Sequence, residues 1–123
     1  YRQKNLPAFW YRDSGFKSTQ SIESPEAIAK IYSIAKSINS FEGLLLCNPI
    51  PKKYSLNPKY LEPLITSGVA KLKKANITGK KLTPSLLNYL VKKTDGKTLI
   101  SNIELVKNNA ELGAKIAKAL IYC

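Results

Sequence analysis

Three asparagines in one helical segment, residues 101–110, are the side chains of this chain best suited to binding chemistry. They are Asn102, Asn108 and Asn109, and the segment reads SNIELVKNNA. An asparagine amide competes for backbone hydrogen bonds and is a mediocre helix former, so this density indicates a surface kept for polar contacts. We interpret Asn102, near the positive end of the helix dipole, as a candidate ligand-binding residue. The alternative for Asn102 is a solvated or capping amide, and Asn108 and Asn109 are interpreted as packing contacts.

Two further side chains are candidates for a binding site. Asn48 follows an apolar run, residues 44–47, and precedes a proline-rich turn. The carboxyl ends of strands are where open α/β sheets bind ligands, although the amide could instead satisfy backbone groups of the turn. Arg12 follows two aromatic residues, and its guanidinium could bind a phosphate or a carboxylate, or stack on a ring.

The chain lacks the residue patterns of most catalytic and metal sites. It contains no histidine, which is the commonest general base and metal ligand. Its glycines are isolated, and no lysine or serine has an identifiable activating partner. The eight carboxylates show no paired spacing: Asp13, Glu23, Glu26, Glu42, Glu62, Asp95, Glu104 and Glu111. We therefore predict no catalytic residue and no metal ligand in this chain.

The net charge of +12 raises the possibility of a nucleic-acid partner. The lysines are spread along the chain, however, and only Arg2 and Arg12 could supply bidentate guanidinium contacts. We therefore favour a solvated lysine-rich face. No apolar run approaches the roughly 20 residues that a transmembrane helix needs. Cys47 and Cys123 are predicted to be free thiols, and the absence of methionine suggests a fragment or a processed chain.

Local signals predict four helices and one strand. Ser24-Pro25 and Asn57-Pro58 combine a capping side chain with a proline that suits a first helical turn. The predicted elements are, in order, a helix from 25 to about 39, a buried strand at 43–47, and helices from 58 to about 75, from 83 to about 95 and from 98 to about 120. One strand cannot form a sheet, so the pattern predicts a piece of a larger α/β protein.

The sequence also predicts the cap and the inward-facing side of the last helix. Thr98 is predicted to cap its first turn. Apolar residues at helical spacing predict which side faces inward: Leu99, Ile103, Val106, Ala110, Ala114, Ala117 and Leu120. The aromatic-rich residues 1–20 are predicted to form a strand end and loop that pack onto another part of the fold.

Four motifs occur in a fixed order along the chain: LPAFWYR at residues 6–12, NPIP at 48–51, LTPSLL at 82–87 and SNIELVKNNA at 101–110. In this order and at these separations they resemble the C-terminal part of the pseudouridine-5′-phosphate glycosidases. The resemblance covers nearly the whole chain, although residues 1–4 depart from the family pattern. It implies that Asn102 contacts the substrate, and that Asn48 and Arg12 are candidate pocket walls.

The resemblance implies a fold and a function. Residues 1–123 would form the C-terminal part of one three-layer α/β/α domain, mostly helical with one or two short strands. The whole enzyme would reversibly cleave pseudouridine 5′-phosphate to uracil and ribose 5-phosphate through a lysine Schiff base. The catalytic lysine and the manganese ligands would lie upstream of this chain. The resemblance further implies a homotrimer, association with the upstream half and a cytoplasmic location.

Two alternatives to a glycosidase segment remain at this stage. The chain could be a non-catalytic basic module that binds nucleic acid or another polyanion, in which case its binding would weaken steeply with salt. It could also be an inactive subunit that pairs with an intact one, and a separate chain bearing the catalytic lysine and glutamate motifs would support that hypothesis.

Overall fold

A computed structural model describes residues 1–40 and 43–123, so the prediction made for Glu42 lies outside the described residues. The helices are α1 (Pro25–Ser37), α2 (Pro58–Lys74), α3 (Leu82–Lys93) and α4 (Lys97–Leu120), with short 3-10 turns at Lys52–Tyr54 and Gly79–Lys81. None of the described helices combines the length and the apolarity needed to cross a bilayer.

The predicted starts of the first two long helices are confirmed. The Ser24 hydroxyl accepts a hydrogen bond from the Ala27 N–H at 3.1 Å. The Asn57 side-chain oxygen accepts one from the Lys59 N–H at 3.0 Å. In each case a proline occupies the first helical turn, where its missing N–H costs no intrahelical bond.

The predicted cap of α4 is wrong. Thr98 lies inside the first turn, and the capping hydroxyl belongs to the buried Thr94, whose Oγ1 accepts from the Thr98 N–H at 3.2 Å. The same hydroxyl donates to the Leu90 carbonyl at 2.7 Å, so it joins the end of α3 to the start of α4. Between them Gly96 adopts a φ of +79°, a conformation that glycine accepts without steric cost.

The main core lies between α2, α3 and the N-terminal segment. Trp10, Leu61 and Leu90 are buried together. Gly68 lets α2 and α3 approach closely, because a Cβ at this position would lie 2.7 Å from the Tyr89 ring. The predicted packing of the aromatic segment onto another part of the fold is therefore confirmed for Trp10.

The predicted inner face of α4 is also wrong. The buried residues of this helix are Thr98, Ser101, Leu105 and Leu112. Leu99, Ile103 and Val106 are instead 47%, 45% and 60% exposed, and the predicted alanines are exposed as well. The helix carries apolar residues on two sides. Its contacts with α1 and α3 cover the side that includes Leu105 and Leu112, not the side that was predicted to face inward.

The strand predicted at residues 43–47 does not form. In the part of the chain that the structure describes, the β pairing consists of an isolated antiparallel bridge between Asn5 and Lys17. Leu44 and Leu45 are 48% and 88% exposed. A strand is stabilised by hydrogen bonds to a neighbouring strand, and this run has no such neighbour among the described residues.

Candidate functional site

The proline-rich turn that follows residues 43–47 is held against the middle of α4. The Asn48 amide donates to the Asn109 side-chain oxygen at 3.0 Å and to the Asn108 carbonyl at 3.4 Å. The Asn108 amide donates in return to the Pro49 carbonyl at 3.0 Å. The prediction that Asn108 and Asn109 serve packing contacts is confirmed, and Asn48 uses its amide for the same contact.

Arg12 also contacts this turn. One guanidinium nitrogen, Nη1, donates to the carbonyl of the fully buried Ile50 at 2.7 Å. The Gln3 amide donates to the Arg12 carbonyl at 2.9 Å, which fixes the backbone of this residue. Arg12 forms no ion pair within residues 1–40 and 43–123. The observed role of its guanidinium is therefore to bind a main-chain carbonyl, and its other N–H groups donate to none of the described residues.

A third contact extends this docking toward the start of α4. The buried Ser101 hydroxyl donates to the Tyr54 carbonyl at 2.6 Å. Residues 48–54, here called the docked segment, thus run along α4 from Asn109 to Ser101. Ser101 is not among the site residues predicted from the sequence. Its spacing of seven residues from Asn108 places both on one helix face and could have revealed it.

Asn102 lies beside this contact but takes no part in it. Its side chain is half-buried, and its amide forms no hydrogen bond to the described residues. Asn109 shares its side of the helix and lies about 10 Å away along the axis. The structure therefore brings Asn48 and Arg12 together at the docked segment. Asn102 lies roughly two turns from Asn109, beside the Ser101 end of that segment, and its amide forms no hydrogen bond to the described residues. Substrate contact by Asn102 stays a prediction.

The helix dipole gives little support to an anion site at Asn102. This residue is the sixth of α4, and the dipole effect is largely confined to the first turn of a helix. Thr94 also satisfies one N–H group of that turn. Any contact of Asn102 with a ligand would thus depend on the donor and acceptor atoms of its amide.

A large cavity lies elsewhere among the described residues. It measures about 770 Å³, a size typical of ligand pockets, and lies between the N-terminus of α1 and the C-terminal half of α4. Asn48 and Asn108 line it, whereas Asn102 does not. Glu111 and Lys115 form an ion pair of 2.6 Å in its wall. The hydrogen bond from Lys115 lowers the pKa of the Glu111 carboxyl.

The loop that carries Arg12 is fixed by a carboxylate. Asp13 accepts hydrogen bonds from the Gly15 N–H at 2.8 Å and from the Asn5 amide. The Gly15 contact and then the Asn5 contact lower the pKa of Asp13 below its usual 3.8. Because the folded-state pKa is depressed, this contribution to stability is present above the usual pKa. It is lost as the pH falls through the lowered pKa.

The manganese site implied by the resemblance finds no match in the described residues. No three side chains of the types His, Cys, Asp or Glu converge there to hold a metal ion. The described residues therefore do not fit a metal centre.

Residues 1–119 match the family described as Indigoidine synthase A like protein. Pseudouridine-5′-phosphate glycosidase from Staphylococcus aureus (strain MW2) is 45% identical, with 98% of this chain and 39% of that protein covered. The enzyme of the same name from Methylobacterium nodulans is 41% identical, with 98% and 36% covered. The chain thus spans about two-fifths of the length of these relatives.

Solved structures show the same partial coverage. An indigoidine synthase A-like protein from Thermotoga maritima superposes with a TM-score of 0.80 at 34% identity, over 95% of this chain and 38% of that one. The prealnumycin C-glycosynthase AlnA, solved in complex with ribulose 5-phosphate, gives a TM-score of 0.84 at 22% identity, over 98% and 39%. The predicted fold class, a mostly helical segment of an α/β fold, is confirmed.

Proposed function

Since this chain belongs to the indigoidine synthase A like family, we propose that it is part of a C–C glycosidase. The whole enzyme would reversibly cleave pseudouridine 5′-phosphate to uracil and ribose 5-phosphate. The observation that carries the proposal is 45% identity to a pseudouridine-5′-phosphate glycosidase along 98% of the chain. Because the match covers 39% of that relative, the catalytic residues would lie in polypeptide outside this chain.

Cleavage of the carbon–carbon glycosidic bond sends the electron pair of that bond to the uracil carbon, so the electron-poor C1′ of the sugar needs an electron donor. In the proposed mechanism a lysine outside this chain would bond to C1′ as the C1′–O4′ ring bond opens and O4′ takes a proton. The C1′–C5 bond would then break, with its electron pair and a proton going to C5 of uracil. The lone pair of the lysine nitrogen would form an iminium with C1′, which water would hydrolyse to ribose 5-phosphate and the free lysine. The residues of this chain would bind and orient the substrate. Asn102 would donate or accept a hydrogen bond through its amide, and the docked segment would hold the neighbouring surface of α4 in place.

The whole enzyme would have three further properties. It would use manganese bound by residues outside this chain, assemble as a homotrimer and reside in the cytoplasm. The resemblance of the four motifs to the glycosidases supports these properties. The described residues offer no metal site, so no role in binding the ion is assigned to them.

A covalent chimera tests the proposed activity directly. Joining this chain to the part of the Staphylococcus aureus relative that lies outside the match should give an enzyme that releases uracil from pseudouridine 5′-phosphate. In that chimera Asn102→Ala should lower kcat/KM by roughly 10- to 100-fold, the loss expected for one substrate hydrogen bond. Chromatographic measurement of uracil reports both results.

Asn88→Ala is the matched control, since Asn88 is also a helical asparagine but lies exposed on α3. It should leave kcat/KM of the chimera unchanged. A folded chimera with no activity would contradict the proposed function. Equal losses from Asn88→Ala and Asn102→Ala would leave the function standing and remove the role given to Asn102.

A second candidate function is favoured by one charged surface. Residues 63–94 of α2, α3 and their connection contain seven lysines and no aspartate or glutamate. All seven lysines are exposed. Lys73 and Lys74 end α2, and Lys80 and Lys81 form the turn before α3, so four positive charges flank one connection. Such a patch could bind the phosphates of a single-stranded RNA.

If this candidate is correct, the chain should bind polyuridylate at low salt, and its affinity should fall steeply between about 50 and 200 mM salt. Replacing Lys80 and Lys81 by glutamine should reduce the slope of log affinity against log salt by about one for each lost phosphate contact. Fluorescence anisotropy measures both. Absence of binding at low salt, or an unchanged slope, would argue against this function.

A further inference from the structure

The buried hydroxyl of Ser101 makes a contact that is uncommon for a serine within a helix. A helical serine often returns its hydroxyl to a carbonyl of the preceding turn. Ser101, which is 1% exposed, instead donates across to the Tyr54 carbonyl at 2.6 Å. Within residues 1–40 and 43–123 that carbonyl accepts a hydrogen bond from no other group. Removing the hydroxyl would therefore leave the carbonyl without a partner among these residues.

The carbonyl that accepts this hydrogen bond is itself held in place. Tyr54 is the last residue of the short 3-10 turn Lys52–Tyr54. Two residues later, the Leu56 N–H donates to the carbonyl of the buried Trp10 at 2.8 Å. The Tyr54 carbonyl is thus attached to the main core, and the Ser101 hydroxyl joins α4 to a fixed point.

The Ser101 bond can set the rotation of this part of α4 about the helix axis. Its buried neighbours on the helix cannot do so in the same way. Contacts of Leu105 are apolar and therefore non-directional. The Thr98 hydroxyl lies 3.1 Å from that of Thr94, so this contact stays within the junction of α3 and α4. A hydrogen bond to a fixed carbonyl is directional, and Ser101 directly precedes Asn102.

A small rotation of α4 would displace the Asn102 amide. Side-chain ends lie about 5–6 Å from a helix axis, so a rotation of about 10° moves them by about 1 Å. The amide of Asn102 forms no hydrogen bond to the described residues, so none of them holds it in place directly. A misplacement of about 1 Å can lower the rate of an enzyme by about 100-fold.

We propose that Ser101 is a positioning residue for the reaction, because its bond to the Tyr54 carbonyl sets the rotation of α4 at which the Asn102 amide meets the substrate. The inference rests on the proposed function and deepens it. Ser101 is buried and acts through Asn102, without touching the substrate itself. Loss of the Ser101 hydroxyl should therefore matter only while the Asn102 amide is present.

Kinetics of the covalent chimera, with alanine at one or both positions, test this dependence. Ser101→Ala should lower kcat/KM by about 3- to 30-fold, which is less than the loss expected for Asn102→Ala. In the Asn102→Ala background the same substitution should change kcat/KM by less than about twofold, because residues in one network are not additive. Ser101→Thr keeps a hydroxyl on the same carbon, so kcat/KM should stay within about threefold of the wild-type chimera.

Thr98→Val is the matched control. Thr98 is also buried on α4, but its hydroxyl contacts Thr94 and not the docked segment. This variant should change kcat/KM by less than about twofold. Ser101→Cys fills the space of the serine with a weaker donor, and it should reproduce the loss if the alanine variant does not fold.

The wild-type chimera separates this inference from the proposed function. If that chimera is active, unchanged kcat/KM in Ser101→Ala, or equal losses with and without the Asn102 amide, would overturn the role of Ser101 alone. So would an equal loss from Thr98→Val, full activity of Asn102→Ala, or a Ser101→Thr variant that is folded by circular dichroism yet as impaired as Ser101→Ala. A folded wild-type chimera that releases no uracil would overturn both the proposed function and the role of Ser101.

Discussion

Replacing Trp10 with alanine is expected to lower the free energy of unfolding by about 3–5 kcal/mol. The indole is buried between α2 and α3 against Leu61 and Leu90, and it meets the Phe9 ring edge-on with centroids 4.7 Å apart. Alanine would leave a cavity where the N-terminal segment meets both helices. Urea denaturation followed by far-ultraviolet circular dichroism measures the loss.

Trp10→Phe is the informative control. The indole Nε1 is buried and has no hydrogen-bond partner among the described residues. Phenylalanine keeps an aromatic ring and removes this unpaired donor, whose burial is itself costly. The loss should be at most about half of that for Trp10→Ala. Equal losses would mean that the indole N–H is satisfied and that the packing around Trp10 differs from the structure.

Replacing Leu90 with alanine is expected to lower the free energy of unfolding by about 2–5 kcal/mol. Leu90 is fully buried and joins α3 to the core around Trp10 and Leu61. The loss is large relative to the roughly 5–15 kcal/mol that stabilises a typical domain. Fluorescence of Trp10, the single tryptophan of the chain, follows unfolding alongside circular dichroism.

The matched control for this variant is Leu45→Ala. Leu45 is 88% exposed, so the same substitution should change the free energy of unfolding by no more than about 0.5 kcal/mol. The fluorescence and dichroism transitions should coincide if unfolding is two-state. If Leu90→Ala were as mild as Leu45→Ala, the α2–α3 core would not be packed as described.

Features set by neighbouring residues could be predicted from the sequence. The caps Ser24 and Asn57 satisfy N–H groups two or three residues further along the chain, and the prolines fit wherever the first turn lies. The start of α4 was mispredicted although it is also local. Thr98 is of a residue type that often caps helices. The positive φ of Gly96, however, makes the helix begin before Thr98, and the Thr94 hydroxyl accepts the hydrogen bond from the Thr98 N–H.

Features that depend on distant contacts could not be predicted in the same way. Helical spacing identified an apolar side of α4 but not which of its two apolar sides the other helices cover. The run at residues 43–47 has the composition of a strand, yet pairing requires a neighbour that composition cannot supply. At the candidate site, the pattern singled out Asn48 and Arg12 but not the carbonyl groups that they bind.

The docked segment also has a consequence for the order of folding. Its contacts join residues far apart in the chain: 61 positions separate Asn48 from Asn109, 47 separate Tyr54 from Ser101, and 38 separate Arg12 from Ile50. Helices α2, α3 and α4 follow one another directly, so their contacts close shorter loops and cost less chain entropy. We expect these helices to assemble first and the docked segment to close last. The surface beside Asn102 would then be the first to open when the chain partly unfolds.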